Sequence, residues 1–466
     1  MFSRRQLLSL IAANAPLSWA FQRNAPTNAI APTNVTRRQA DHDADVLIIG
    51  AGIAGLAAAQ RLHAAGWDAL IVEARDRIGG RVWTDRGMDG IALDMGASWI
   101  HGTEGNPLTI ITSENDILTV VTDSDAAALY HTDGRAYTDA ESAALESCLD
   151  DLFDQVDETR ESLDADRALG DVIAAVRRDL GLNDAREIDY AINSRIEHEY
   201  AADVSELSAW WYDNADDFDG DHVVFPDGYV QIADVLARDL GSSIRLSHVV
   251  SQIAYADDGV TVTTDRSVLR APYAICTLPV GVLQAGNVAF DPPLPARKRD
   301  AIAQYHSGVL NKTYLRFPTV FWDADATWLG YVSAEKGVWS EWLNLLDVTG
   351  QPILLGFNAG QYGLQIESLS DAAIIDAAMQ TLRTIYGDAI PDPTDARITR
   401  WGQDPFARGS YSSLAPGGTP DTYIALGEIV SGVLAFAGEA THPTHPATVH
   451  GALMSGWRAA DDLMRL

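Results

Sequence analysis

Gly50, Gly52 and Gly55 close the run Asp45-Val46-Leu47-Ile48-Ile49-Gly50-Ala51-Gly52-Ile53-Ala54-Gly55. An apolar strand there feeds a glycine turn and then a helix, which is the context a dinucleotide cradle requires. Gly50 permits the tight turn and Gly52 lets the backbone approach a pyrophosphate. Ile53 and Ala54 open the helix, whose positive N-terminus faces that phosphate. Gly55 lets the helix pack on the sheet. Glu73 lies 23 residues beyond Gly50, at the end of a second apolar strand, where its carboxylate can bind an adenosine ribose. A third chemical signal is Lys312, inside the strand-like run Val309-Leu310-Asn311-Lys312-Thr313-Tyr314-Leu315. A lysine buried there is costly unless it has a partner or a task, and desolvation lowers its pKa.

The elements that must hold these residues are legible from pattern. The spacing predicts strands at 45–49 and 69–72 and a helix from Ala54 to about Ala65. Directly after Glu73, Ala74 and Arg75 lead to a second glycine pair, ending in Gly80, and to Arg81. Arg81 can meet a diphosphate through its two-pronged guanidinium.

These runs resemble the flavin amine oxidases, the family of monoamine oxidases, polyamine oxidases and lysine-specific histone demethylases. The resemblance continues through Asp94-Met95-Gly96-Ala97-Ser98-Trp99-Ile100-His101-Gly102, Val249-Val250-Ser251 and Leu278-Pro279-Val280-Gly281. It returns at Asn311-Lys312, Arg400-Trp401, Gly409-Ser410-Tyr411-Ser412 and Phe436-Ala437-Gly438-Glu439. It covers about residues 44–466, with the motifs in the family's order. The resemblance implies non-covalent FAD, since no cysteine stands beside Tyr411. It implies that Glu73 holds the adenosine ribose, Val250 meets adenine through its backbone, Arg81 meets the diphosphate and Glu439 reaches the ribityl-phosphate region. Gly96, Ala97, Ser98, Trp99, Pro279, Trp401, Gly438, Thr448 and Val449 complete the implied cofactor set. Thr448-Val449 opens a helix whose N-terminus can stabilise negative charge on a reduced ring.

By the same resemblance the catalytic set is Lys312, His101, Tyr411 and Thr448. A lysine at this motif holds a water near flavin N5 and assists reoxidation by oxygen. Tyr411 fits one wall of an aromatic cage. The second wall is often tyrosine, and Thr448 stands there instead, a departure that speaks against small aromatic monoamines. His101 matches a histidine that faces substrate in polyamine oxidases and would tune activity near neutral pH. Glu199, Asp213, Asp216 and Asp217 are candidates for distal ammonium groups. His442 and His445 lie near the flavin motif as either surface residues or ligands.

The formal net charge is −32. Between Glu141 and Asp221, 24 acids face 6 basic residues, so over half of the excess sits in a fifth of the chain. Such a field repels nucleic acid and can steer a polycation; a solvated acidic surface explains it equally. Two cysteines, Cys148 and Cys276, exclude a disulfide framework and show no metal-ligand pattern. Cys276 reads as a buried thiol. No run reaches the roughly 18–20 apolar residues of a spanning helix, and the C-terminal stretch reads as amphipathic, against stable membrane insertion. Ser3-Arg4-Arg5-Gln6-Leu7-Leu8, a short apolar run and Ser18-Trp19-Ala20 read as a twin-arginine export signal over 1–20. Residues 21–43 read as a linker, and the expected location is periplasmic or secreted.

The fold class expected is α/β, with an FAD-binding Rossmann-like domain of the two-dinucleotide-binding-domain flavoprotein type interleaved with a mixed α+β substrate domain. The first would be built from 44–105, 223–300 and 398–466, the second from 106–222 and 301–397. Helices are expected at Asp139 to Glu161, Leu169 to Leu180 and Asp371 to Tyr386, and strands at Leu310 to Phe317 and Ile353 to Phe357. The expected activity is an FAD-dependent amine oxidase acting on a small cationic amine, in first place a polyamine, with O2 as acceptor and aldehyde, amine and H2O2 as products. An L-amino-acid oxidase is the rival, with Arg408 and Arg316 available for a substrate carboxylate. A flavoprotein dehydrogenase or binding protein with a non-oxygen acceptor is the third reading. An export signal and the lack of a helical docking module argue against a histone demethylase role. The sequence leaves the oligomeric state open.

Overall fold

Four consecutive apolar residues without polar alternation call for a strand covered on both faces, and Val46–Ile49 is buried throughout. The computed structural model describes residues 42–183 and 185–466. The expected export signal and nearly all of the linker lie outside these described residues. Val46 and Ile48 enter one core cluster and Leu47 and Ile49 a second, as the two-residue period of a strand requires.

Ala69–Val72 and Tyr273–Cys276 pair in parallel on either side of this strand. Leu434–Phe436 and Ile244–Arg245 add the outer positions. One five-stranded parallel sheet therefore draws on stretches of chain near 46–72, 244–276 and 434–436. The helices Ile53–Ala64 and Val449–Met464 cover one face together. They approach so closely that a Cβ on Gly456 would lie 2.2 Å from the Ala54 carbonyl oxygen. The other face is covered by a four-stranded sheet of Val250–Ala256, Gly259–Thr264, Val268–Ala271 and Ala289–Asp291.

The rest of the chain builds a second half. The helices Asp139–Glu161 and Leu169–Leu180 occupy the expected residues. A Thr138–Glu141 capping box starts the first, and Gly181 in the left-handed region ends the second. The helix Arg186–Ile192 continues into a π-helical turn, Asn193–Glu197, which no periodicity signals. A six-stranded sheet runs in the order Asp395–Ile398, Leu310–Arg316, Ile353–Ala359, Glu341–Asn344, Trp328–Tyr331, Ala127–Tyr130. The helix Asp371–Tyr386 belongs to this half. A two-stranded ribbon, Tyr305–Gly308 with Tyr411–Leu414, ties the last stretch of chain to it. Among the described residues no helix is long and apolar enough to cross a membrane. Cys148 and Cys276 are both free, and burial pushes the Cys276 thiol up to about 12.

Candidate active site

One cavity of about 1250 Å³ extends from the C-terminal ends of the five-stranded sheet to one face of the six-stranded sheet. Open parallel sheets bind ligands at that end. The volume exceeds the roughly 300–1,000 Å³ of ordinary small-molecule sites, so a dinucleotide and a second molecule can share it.

The dinucleotide end passes a geometric test. Gly50 has φ 105°, and a Cβ there would lie 2.5 Å from the Thr277 hydroxyl oxygen. Gly52 caps the helix, and a Cβ on it would meet nothing within 4 Å, so bare backbone faces the open cavity. Ile53 and Ala54 line the same space. Gly55 does not line the cavity; its Cβ would fall 2.0 Å from the Gly50 carbonyl oxygen, a packing contact. Glu73 is buried, and its carboxylate accepts from the backbone N–H groups of Ala51 (2.7 Å) and Arg75 (2.8 Å). Each oxygen keeps a second lone pair. Ala74, Gly80, Val250 and Pro279 also line this end.

Three expected ligands are engaged by the protein itself. The Arg75 guanidinium donates to both Asp404 oxygens (2.9 and 2.8 Å), so its charge is met from the third stretch of chain. Arg81 donates through Nη1 to the Ser410 carbonyl and to Glu439, each at 3.0 Å. Its Nε and Nη2 make no bond to the described residues and remain for a ligand. Glu439 further accepts from Ser412 Oγ (2.6 Å) and the Ala447 N–H (3.1 Å). Thr448 has bonds of its own to the protein. It lines the cavity, yet its hydroxyl accepts from the Gly451 N–H and donates to the His445 carbonyl, both at 2.9 Å. That makes it the cap of the helix beginning at Val449, with no donor left for substrate. Gly438 is anchored through its N–H to Ser455 Oγ (2.9 Å).

Lys312 is buried, as its run predicts. Its Nζ donates to the carbonyls of Asp94 (2.9 Å) and Gly96 (2.6 Å) and bonds Ser98 Oγ (2.5 Å). The expected water-holding role meets a nitrogen whose three positions are filled by the 94–98 segment. Desolvation lowers the Lys312 pKa to about 8 against the upward pull of Asp94. Burial pushes Asp94 up to about 6, although Thr84 and the Tyr229 N–H bond its carboxylate. Ala97 and Trp99 line the cavity beside this lysine, and Trp401 closes the wall, donating from Nε1 to the Met95 carbonyl at 3.0 Å.

His101 faces the cavity, with Nδ1 3.3 Å from His222 Nδ1. Burial lowers its pKa, and Asp217 opposes the shift. Tyr411 donates its hydroxyl to the His198 carbonyl (2.5 Å), and burial holds the phenol well above its ordinary pKa. Of the acidic candidates, Glu199, Asp216 and Asp217 line the cavity. Asp213 does not; Arg160 holds both its oxygens at 2.8 Å. His442 and His445 stay behind the wall, the first accepting from the second's backbone N–H at 3.0 Å. Arg316 donates to Asp89 (2.6 Å) and Gln351, and neither it nor Arg408 lines the cavity.

Sequence reasoning missed His198, Glu341, Trp328 and Phe357, which line the substrate-side wall. Glu341 carried a usable signal: a carboxylate heading an apolar strand poses the same question as a lysine inside one.

The family model for flavin containing amine oxidoreductases matches residues 53–464. The Oryza sativa subsp. japonica protein "Lysine-specific histone demethylase 1 homolog 1" is 37% identical over 447 residues, covering 90% of this chain and 52% of that protein. "Polyamine oxidase 4" of the same organism is 35% identical over 441 residues, covering 91% of this chain and 89% of that protein. The chain thus spans about half the length of the demethylase relatives it matches. A putrescine oxidase solved bound to putrescine superposes with a TM-score of 0.74 at 22% identity, covering 91% of this chain and 99% of that one, a likeness of fold.

Proposed function

The chain belongs to the flavin containing amine oxidoreductases, and on that premise we propose that it is an FAD-dependent amine oxidase acting on polyamines or diamines with O2 as acceptor. The observation that carries this reading is that one cavity joins the dinucleotide cradle to an aromatic wall and a group of acids that includes Glu199, Asp216 and Asp217. When bound, the flavin supplies hydride acceptance from the carbon beside an amine and hands the electrons to oxygen, yielding an imine that water hydrolyses and hydrogen peroxide.

The chain's residues do the rest. Glu73 would hold the ribose of the cofactor, the Gly52 backbone and the free arm of Arg81 its diphosphate, and the N-terminus of the helix beginning at Val449 would supply positive potential to a reduced ring. No cysteine stands beside Tyr411, so the cofactor is held without a covalent link. Trp99, Phe357 and Tyr411 wall the reacting end. Their low polarity disfavours ammonium there and favours the neutral amine that hydride loss requires. His101, exposed within the cavity, can accept from a substrate N–H through an unprotonated ring nitrogen. Glu199, Asp216 and Asp217 attract the polycation. From the Arg4-Arg5 pair we propose that the enzyme is exported from the cytoplasm.

The L-amino-acid oxidase alternative is less favoured, because neither Arg316 nor Arg408 lines the cavity. Anaerobic titration of the purified yellow protein tests the proposal. Spermine, spermidine or putrescine should bleach the flavin, and readmitted oxygen should restore it with release of peroxide. Absence of bleaching by every amine overturns it.

A further inference from the structure

Asp94 is a buried acid that ends the short strand Leu93–Asp94 and stands opposite Thr84 in an antiparallel pair. Thr84 donates its hydroxyl to Oδ1 at 2.5 Å, and the Tyr229 N–H donates to Oδ1 at 2.9 Å and to Oδ2 at 3.1 Å. These donors are neutral. A buried carboxylate needs an opposite charge nearby as well as hydrogen bonds. Lys312 and Arg86 are the charged groups that act on it. Arg86 is exposed and donates to the Asp227 carbonyl at 2.7 Å, which leaves Lys312 as the buried cation. The two phenols nearby stay neutral, since burial holds Tyr229 and Tyr314 well above their ordinary pKa.

One residue thus meets the lysine twice. The Asp94 carbonyl accepts from Lys312 Nζ at 2.9 Å, while its carboxylate turns toward Thr84 and Tyr229 and acts on the lysine by charge. The Trp99 ring, 5.6 Å from Nζ, also favours the charged form. Burial works against that charge, and among the described residues Asp94 is the ionised group that opposes it. Asp94 titrates near 6 and Lys312 near 8, so both are charged between those values. Lys312 lines the cavity and Asp94 does not. The negative charge therefore sits behind the wall, apart from the acids that face substrate.

Reoxidation carries two electrons and two protons from the reduced cofactor to O2 and releases H2O2. A fixed positive charge favours the negative charge that oxygen takes on during that transfer, and a neutral lysine gives no such help. With its three positions filled by the 94–98 segment, Lys312 acts by charge alone and supplies no atom. We propose that Asp94 is a positioning residue for this step, whose charge keeps Lys312 protonated in the neutral range and sets the alkaline limit of oxygen reduction. This rests on the amine oxidase reading above, with O2 as acceptor. A carboxylate that only tied Thr84 to Tyr229 would leave the pH profile of reoxidation where it is.

The test uses the flavin-loaded full chain, reduced by light without oxygen so that no amine is needed, then mixed with oxygenated buffer from pH 6 to 10. Wild-type reoxidation should slow as pH rises through about 8. Asp94→Asn keeps an acceptor for Thr84 and Tyr229 and removes the charge. Its profile should hold the same fast limit and move to lower pH by about one unit or more. Lys312→Met should show no such step, and adding Asp94→Asn to it should change nothing. Denaturant melts of the full chain give a second readout. Between 3.8 and about 6 native Asp94 keeps a proton that the unfolded chain has lost, so wild-type stability should fall across that window relative to Asp94→Asn. Coincident reoxidation profiles, a shift that survives in Lys312→Met, or a flat stability difference overturns the proposal. Should Asp94→Asn fail to load flavin, Asp94→Ser must show the same displacement. Asp94→Glu, which keeps the charge, must stay near the wild-type midpoint, and a Glu variant displaced as far as the Ser variant also overturns it. A reduced wild type that ignores oxygen at every pH sinks the parent reading and this one with it, an outcome distinct from coincident profiles in an oxygen-reactive enzyme.

Discussion

Arg81 Nη1 donates to Glu439 Oε1 at 3.0 Å, joining residues 358 positions apart across the cofactor end of the cavity. Glu439 is the deeper partner, its side chain 8% exposed against 24% for Arg81. Removing the arginine leaves that carboxylate with Ser412 and Ala447 alone, and breaking such a pair from one side costs about 3 kcal/mol or more. Arg81→Met should therefore melt lower than Glu439→Gln, which keeps an acceptor for Ser412 and leaves Arg81 for the phosphate. Thermal melts with saturating FAD should widen this gap; melts that coincide would show that Arg81 does not face the cofactor.

Lys312 has a lowered pKa of about 8, with 10.5 as its ordinary value, and desolvation is the chief cause. Between those values the unfolded chain holds a proton that the native one does not. Stability therefore rises with pH across that window and is level below it with respect to this group. Lys312→Met should remove that rise, read as the difference between denaturant melts of variant and wild type at pH 7.5 and 10. The same variant should slow flavin reoxidation by oxygen about 10²-fold while sparing anaerobic reduction by amine. An unchanged reoxidation rate would make the lysine a clamp for residues 94–98 and nothing more.

Much of this was readable because each signal was local. The strand Ala69–Val72 and the helices Asp139–Glu161, Leu169–Leu180 and Asp371–Tyr386 lie where periodicity and caps put them. Lys312 was found because charge in an apolar run demands an explanation. Thr448 lines the cavity as its position implies, but a family position does not say where a hydroxyl points, and the helix start claims this one. Asp213 drew attention as one acid among many, yet only tertiary structure could bring Arg160 to it from 53 residues away. The alignment of Lys312 with Phe357 and Glu341 across the six-stranded sheet was invisible because strand register depends on pairings between distant segments, and the π-helical turn before His198 leaves no periodic trace.

His450 makes the acid limb of stability predictable. Burial and the neighbouring His445, His101 and His442 lower its pKa to about 3, and His442 itself falls to about 4. Both groups are neutral in the native chain while the unfolded chain takes up protons below about 6.5. Their contribution is complete above that value and is lost as pH falls toward 3. At pH 5 the His450 share of the loss is on the order of 2 kcal/mol. His450→Gln keeps an acceptor for Asn106, which lies 3.4 Å from Nδ1. Its stability should fall less steeply than wild type between pH 7 and 4; parallel curves would show that His450 titrates normally.

Gly52 and Gly55 belong to one motif but answer to different forces, and substitution separates them. A Cβ on Gly52 meets no protein atom within 4 Å and points into the space a diphosphate would need. Gly52→Val should fold with nearly wild-type apoprotein stability and be colourless, because its branched side chain blocks the backbone approach. A Cβ on Gly55 must sit 2.0 Å from the Gly50 carbonyl oxygen, and backbone cannot yield there without moving the helix Ile53–Ala64 off the sheet. Overpacking of this kind typically costs about 1–3 kcal/mol, occasionally more. Gly55→Ala should therefore lower the apoprotein melting temperature and lose flavin only as a consequence. Flavin absorbance and apoprotein melts of both variants decide the matter. A yellow Gly52→Val protein would show that the phosphates lie elsewhere, whatever the remaining glycines do.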